Sequence, residues 1–176
     1  MEILIGVITG IASAALFHIM LRRLKPKIMI SDKIVREKVI KNGNTIVEYR
    51  IKIVNCRPRS IVNIKTFVNI VRLEDDTDGI VYFHGKLPSF DDDLPYIAPY
   101  RKNDCGSQYA VWPRLPSELE DKWGKNNNNQ LIVRIYCMDS FSGADAMFSQ
   151  TYGTDAIVDG QFKTGKSLDV VPNIKM

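Results

Sequence analysis

Two periodicities divide this chain. From Ile3 to Leu21 every residue is uncharged, and the apolar side chains leave no polar face. From about residue 34 onward, apolar and polar positions alternate with period two, the pattern of half-buried strands. The break falls at Arg22-Arg23-Leu24-Lys25-Pro26-Lys27, a short basic stretch that ends in a helix breaker.

The nineteen residues Ile3 to Leu21 predict a helix about 28 Å long at ~1.5 Å rise per residue. That nearly matches the ~30 Å hydrocarbon core of a bilayer. The expected organisation is a transmembrane helix with a basic flank over 1–24, a β domain over 25–165 and a short tail over 166–176. Only Met1 and Glu2 precede the apolar run, whereas Arg22, Arg23, Lys25 and Lys27 follow it. The positive-inside rule then places the N-terminus outside and the domain in the cytoplasm, a single pass through the inner (plasma) membrane. The rival reading is a cleaved signal peptide with Ala12-Ser13-Ala14 as its site. The acidic start, and the apolar stub Ala15 to Leu21 that cleavage would leave, argue against it.

Gly6, Gly10 and Ala14 recur every four residues, and His18 continues the row. Small residues at this spacing let helices in lipid approach closely, so they are candidates for self-association or for lining a pore. The plainer reading is that glycine and alanine are simply frequent in membrane helices. Thr9 and Ser13 are candidates for hydrogen bonds between helices. His18, one turn from the cytoplasmic end, either faces a bundle interior or snorkels to the interface.

In the domain, Val47, Tyr49, Ile51 and Ile53 alternate with Glu48, Arg50 and Lys52, predicting one strand over Thr45–Cys56. Asn42-Gly43 predicts a tight hairpin to a strand over Lys33–Ile40. Cys56 to Ser60 reads as a turn and Ile61–Leu73 as a long central strand. An acidic turn and Ile80–Lys86 come next, then Ser107–Arg114, Leu131–Met138, Asp145–Tyr152 and Ala156–Lys163. Ser117 with Glu120 predicts a capped helical turn over Pro116–Lys122. About eight short strands separated by turn signals point to an all-β domain, an immunoglobulin-like β-sandwich.

Net charge is +4 over 176 residues. Four of the positive charges sit in the juxtamembrane stretch, so the remainder is nearly neutral and not a general nucleic-acid binder. Cys56, Cys105 and Cys137 are odd in number and widely spaced, which fits reduced thiols in the cytosol better than a disulfide framework or a zinc site. Asp75, Asp76, Asp78 and Asp91–Asp93 lack calcium-loop spacing, and His84 has no partner at short range. Gly160-Gln161-Phe162-Lys163-Thr164-Gly165-Lys166-Ser167 matches the phosphate-loop string G-x4-G-K-S. That chemistry needs a helix after the loop, and Val170-Val171-Pro172 leaves no room for one. Lys163 and Lys166 remain weak candidates for touching a ligand phosphate. No catalytic constellation is legible, and no cofactor or metal is expected.

The order of several segments resembles the cytoplasmic domain of inward-rectifier potassium channels. The matching pieces are Lys25 to Val35, Tyr49 to Arg57, Ile61-Val62 and Val68 to Leu73, followed by Leu131 to Tyr136, Asp139, Gly143, Tyr152, Asp155, Ile157, Gly160 and Phe162. The resemblance implies an immunoglobulin-like sandwich assembled as a four-fold ring, ligand-responsive, with Arg22, Arg23, Lys25 and Lys27 against anionic lipid. The rival for those four residues is that they set topology alone. The chain departs from the family in lacking a first membrane helix, a pore helix and a TVGYG-type filter, without which a potassium-selective pore is not built. A sensor domain on a single span resembles the membrane effectors of bacterial anti-phage defence systems. That likeness implies a homo-oligomer, expected to be a tetramer, that senses a nucleotide or short single-stranded oligonucleotide supplied by a partner enzyme. The alternative is a membrane-anchored protein-binding module without a pore.

Overall fold

The computed structural model describes residues 2–41, 43–76, 79–87, 93–102, 107–124 and 129–172. The chain opens with helix α1 (Glu2–Leu24). Strands β1 (Ile28–Ile30), β2 (Ile34–Lys41), β3 (Asn44–Arg50) and β4 (Ile53–Asn55) follow. After them come β5 (Ile61–Asp76), β6 (Gly79–Leu87), β7 (Asp93–Ile97), β8 (Ala110–Val111), β9 (Arg114–Leu115) and the short helix α2 (Leu119–Trp123). The remaining strands are β10 (Asn129–Asp139), β11 (Asp145–Tyr152), β12 (Ile157–Asp159), β13 (Gln161–Phe162) and β14 (Val170–Val171). The protein is therefore mostly β, preceded by one apolar helix.

The largest sheet runs β11-β10-β5-β6, with β7 also pairing β5. A second runs β12-β2-β3-β9, a third β1-β4-β8, and β13 pairs β14. All ladders are antiparallel except β12 on β2. Ile34 and Tyr49 of the second sheet, Ile53 of the third, and Ile61, Val68, Leu131, Val133 and Ile135 of the first share one buried cluster. Burying each of these aliphatic side chains contributes about 1.5–3 kcal/mol. Strand β10 alternates buried and half-buried at every position, the period-two pattern in its simplest form.

The hairpin of β2 and β3 forms with Lys41 opposite Asn44 and Gly43 at a φ of 80°; Asn42 lies outside the described residues. The strand expected over Thr45–Cys56 is broken instead. It leaves the second sheet at Arg50 and enters the third at Ile53. Ile51 to Asn55 are all buried across this crossing, so alternation ends there. Glu48 and Lys52, expected on the solvent face, are both buried. The helical turn is shorter than expected. It begins at Leu119, and Glu118 at its cap position makes no side-chain cap bond, so Ser117 and Glu120 form no capping box. Ala156–Lys163 is divided at Gly160, where β12 ends and β13 begins. Strand β7, which contains Pro95, had no clear sequence signal.

Candidate functional site: the junction of helix and β domain

Helix α1 carries Ile3, Leu4, Ile5, Ile8, Ile11, Leu16, Phe17 and Ile19 exposed on all sides. The apolar stretch Ile3–Met20 is 18 residues long and none of it is buried by the rest of the chain. A helix apolar all round does not remain bare in water, and length and composition alone make this one fit to span a membrane. Gly6, Gly10, Ala14 and His18 share one row of its surface at i, i+4 spacing and stand exposed. A Cβ added at Gly6 or Gly10 would meet nothing within 4 Å, so these glycines are not required by packing within the single chain. Thr9 spends its hydroxyl on its own helix, donating to Ile5 O at 2.6 Å and lying 3.1 Å from Gly6 O.

The last carbonyls of any helix lack partners within it. Here they are taken by the β domain. Arg59 Nη2 donates to Arg23 O at 2.9 Å, and Ser142 Oγ lies 3.1 Å from Leu24 O. Arg59 comes from the turn after β4, and Ser142 from the turn joining β10 to β11. Both are organised by Asp139, which is 1% exposed. Its Oδ2 accepts from Arg59 Nε at 2.8 Å, and its Oδ1 from the amides of Phe141 at 3.1 Å and Ser142 at 2.9 Å, with Ser142 Oγ at 3.0 Å. Burial pushes the Asp139 carboxyl upward. The Ser142 amide, Arg59 and the Ser142 hydroxyl together outweigh it and hold the group below the ordinary aspartate value. Asn55, also buried, fixes the other side of the Arg59 turn, donating to Arg59 O at 2.7 Å and Ala98 O at 2.9 Å.

The basic residues that follow the apolar stretch lie next to this junction in the chain. Arg23, Lys25 and Lys27 are exposed, and the side chain of Arg22 lies outside the described residues. Lys27 O accepts from the Cys56 amide at 2.9 Å, which ties the start of β1 to the end of β4. The Cys56 thiol is raised by burial, against the opposing fields of Lys166, Lys27 and Arg57. Lys166 Nζ stands 4.9 Å from the centre of the Tyr100 ring.

Lys163 is elsewhere. Its ammonium pairs with Asp169 at 3.1 Å, on a cleft of about 800 Å³ also lined by Asp32, Lys33 and Asp159. Carboxylates outnumber lysines there, which disfavours an anion. The G-x4-G-K-S string folds as a hairpin, with Phe162 opposite Val170, and strand β14 occupies the place where a phosphate loop has its helix. Two of its carbonyls point inward. Lys163 O and Ser167 O accept from the buried Lys52 Nζ at 2.5 and 2.6 Å. The loop therefore wraps an internal cation through carbonyl oxygens, the reverse of an amide cradle for phosphate.

Asp91 and Asp92 lie outside the described residues, as do the side chains of Asp75, Asp76 and His84, and Asp78 and Cys105 altogether. The sequence shows the cations of the junction but not its clamp. Arg59 and Asp139 lie 80 residues apart, and nothing local couples them. The one available signal is an aspartate closing an otherwise apolar-alternating strand. Comparison with protein-family models and with characterised proteins returns no match to this chain.

Proposed function

We propose that the protein is a homo-oligomeric, single-span membrane effector. Its helices associate through Gly6, Gly10 and Ala14 to form or block a narrow pore, and its cytoplasmic β domain controls them in response to an anionic ligand. The observation that carries this reading is the junction. An uncovered apolar helix ends in carbonyls held by Arg59 and Ser142, both ordered by one buried carboxylate. A change in the β domain that moves either turn moves the helix end directly. A ligand acts on such a device only through different affinity for its two arrangements.

The finer parts rest on the resemblance to inward-rectifier cytoplasmic domains: the immunoglobulin-like sandwich, the four-fold ring, and a role in antiviral defence with a nucleotide-producing partner enzyme. The larger of two buried clusters is shared by three sheets, which supports a sandwich. Exposed cations beside α1 support an orientation with the domain in the cytoplasm against anionic lipid. The cations whose fields reach Cys56, namely Lys166, Lys27 and Arg57, support this end rather than Lys163 as the side for an anionic ligand.

A second reading is a membrane-tethered protein-binding module, and one surface favours it. On the outer face of the largest sheet, Tyr96, Phe67 and Met147 are exposed beside Val62, Met138 and Tyr136. Exposed apolar patches of this kind mark protein contacts. The two readings part on the span. Induced expression of the wild type depolarises cells under the pore reading. Exchange of Ile3–Met20 for an unrelated leucine-rich helix abolishes that effect, whereas under the tether reading it changes nothing. Unchanged membrane potential with the wild type under every ligand condition contradicts the pore.

A further inference from the structure

We propose that Phe141 anchors the β domain to the lipid surface, with the tip of the Asp139–Ala144 turn seated in the headgroup layer of an anionic bilayer beside the end of α1. This rests on the reading of α1 as a membrane span.

Phe141 is 80% exposed, the most exposed large apolar side chain outside α1 among the described residues. It stands at the tip of a turn that is anything but loose. Asp139 N donates to Ala144 O at 2.8 Å and Gly143 N to Asp139 O at 3.0 Å. Asp139 Oδ1 holds the Phe141 amide itself. Gly143 takes the left-handed φ of 68° that closes the turn. The turn's hydrogen bonds therefore hold the Phe141 ring at a fixed place on the surface.

Position names the occupant. Ser142, next in the chain, sits 3.1 Å from Leu24 O. Leu24 is three residues beyond Leu21, where the apolar stretch ends, so it lies about 5 Å past the hydrocarbon edge. The headgroup layer on one side of a bilayer is about 5–8 Å deep. The turn that carries Phe141 therefore meets α1 at headgroup depth, where exposed apolar side chains of this kind insert. Arg23, Lys25 and Lys27, which follow the apolar stretch in the chain, are exposed, and Arg59, which binds Arg23 O, is partly exposed; such cations complement anionic headgroups. Asp139, the acid of the turn, is buried and neutralised by Arg59.

The test uses the full chain in mixed phosphatidylcholine–phosphatidylglycerol vesicles whose acyl chains carry bromine near the headgroup or near the chain end. Two single variants are compared, Phe141→Trp and Phe17→Trp, each after subtraction of the wild-type emission from Trp112 and Trp123. The account expects the emission added by Phe141→Trp to be blue-shifted and quenched most by bromine near the headgroup, and that added by Phe17→Trp to be quenched as well. Quenching of Phe17→Trp without quenching of Phe141→Trp overturns the anchor and leaves the span standing. In that case a red emission places the ring in water and a blue one places it against another copy of the chain. No quenching of either variant overturns the span reading and the anchor together.

Discussion

Arg59 Nε donates to Asp139 Oδ2 at 2.8 Å, joining two turns 80 residues apart in the chain. The same guanidinium holds Arg23 O and the same carboxylate holds Ser142, whose hydroxyl meets Leu24 O. One ion pair thus fixes the route by which the β domain touches the helix.

Asp139→Ala leaves two amides unpaired and Arg59 uncompensated. It lowers stability by about 2–4 kcal/mol in denaturant unfolding of the full chain. Asp139→Asn keeps an acceptor for the Phe141 and Ser142 amides and loses only the ionic partner, so its cost is smaller, about 1 kcal/mol. Equal effects of the two variants would mean that the charge, rather than the acceptor geometry, carries the turn.

Lys52→Met removes the donor that Lys163 O and Ser167 O share. Two buried carbonyls are left unpaired at roughly 1–3 kcal/mol in total. The effect is local: amide exchange between residues 163 and 169 accelerates while that of β10 does not. Uniform loss of protection would place Lys52 in the general core instead.

Glu48 accepts from Lys41 Nζ at 2.8 Å and Arg50 Nη2 at 2.6 Å. The Lys41 bond, then Arg50, draw its pKa from the ordinary 4.5 down to about 2 against the cost of burial. A carboxyl depressed in the folded state contributes stability above its unfolded pKa and loses it as pH falls through the folded one. The wild type therefore loses stability between pH 4.5 and about 2, on the order of 1–3 kcal/mol from this group. Glu48→Gln is less stable at neutral pH and flatter across that window, which thermal melts at stepped pH would show.

Much of the skeleton was legible in the sequence. The apolar run marks α1, Asn42-Gly43 marks the β2–β3 hairpin, and the long apolar segment from Ile61 marks β5 as a central strand. The misses share a cause. Alternation implies inside against outside, which puts Glu48 and Lys52 in solvent, yet both are buried. Glu48 is held by Lys41 across the hairpin and by Arg50 two residues on, and Lys52 by the carbonyls of Lys163 and Ser167 more than 100 residues away. The crossing at Ile51–Lys52 is likewise invisible locally, because the residues on both sides suit a strand. At the junction the cations were plain from composition. The carboxylate that orders them became visible only once β10 lay against the turn after β4. The phosphate-loop string shows the converse, a motif whose letters match and whose fold does not.

Gly10→Leu tests the helix row. Nothing in the single chain opposes a side chain there, so the β domain folds unchanged, but close approach between helices is lost. Leu at the opposite face, as in Ala12→Leu, has the smaller effect. Thermal melts that match the wild type, alongside a reduced native mass for Gly10→Leu, are expected.

The central claim is that this chain works as an assembly built on α1. The most direct measurement is the native mass of the full-length protein in mild detergent, with bound small molecules retained. The account predicts a tetramer, with added mass of an anionic ligand in the assembled form. A monomer carrying nothing would contradict it, leaving α1 a tether and the glycine row without a partner.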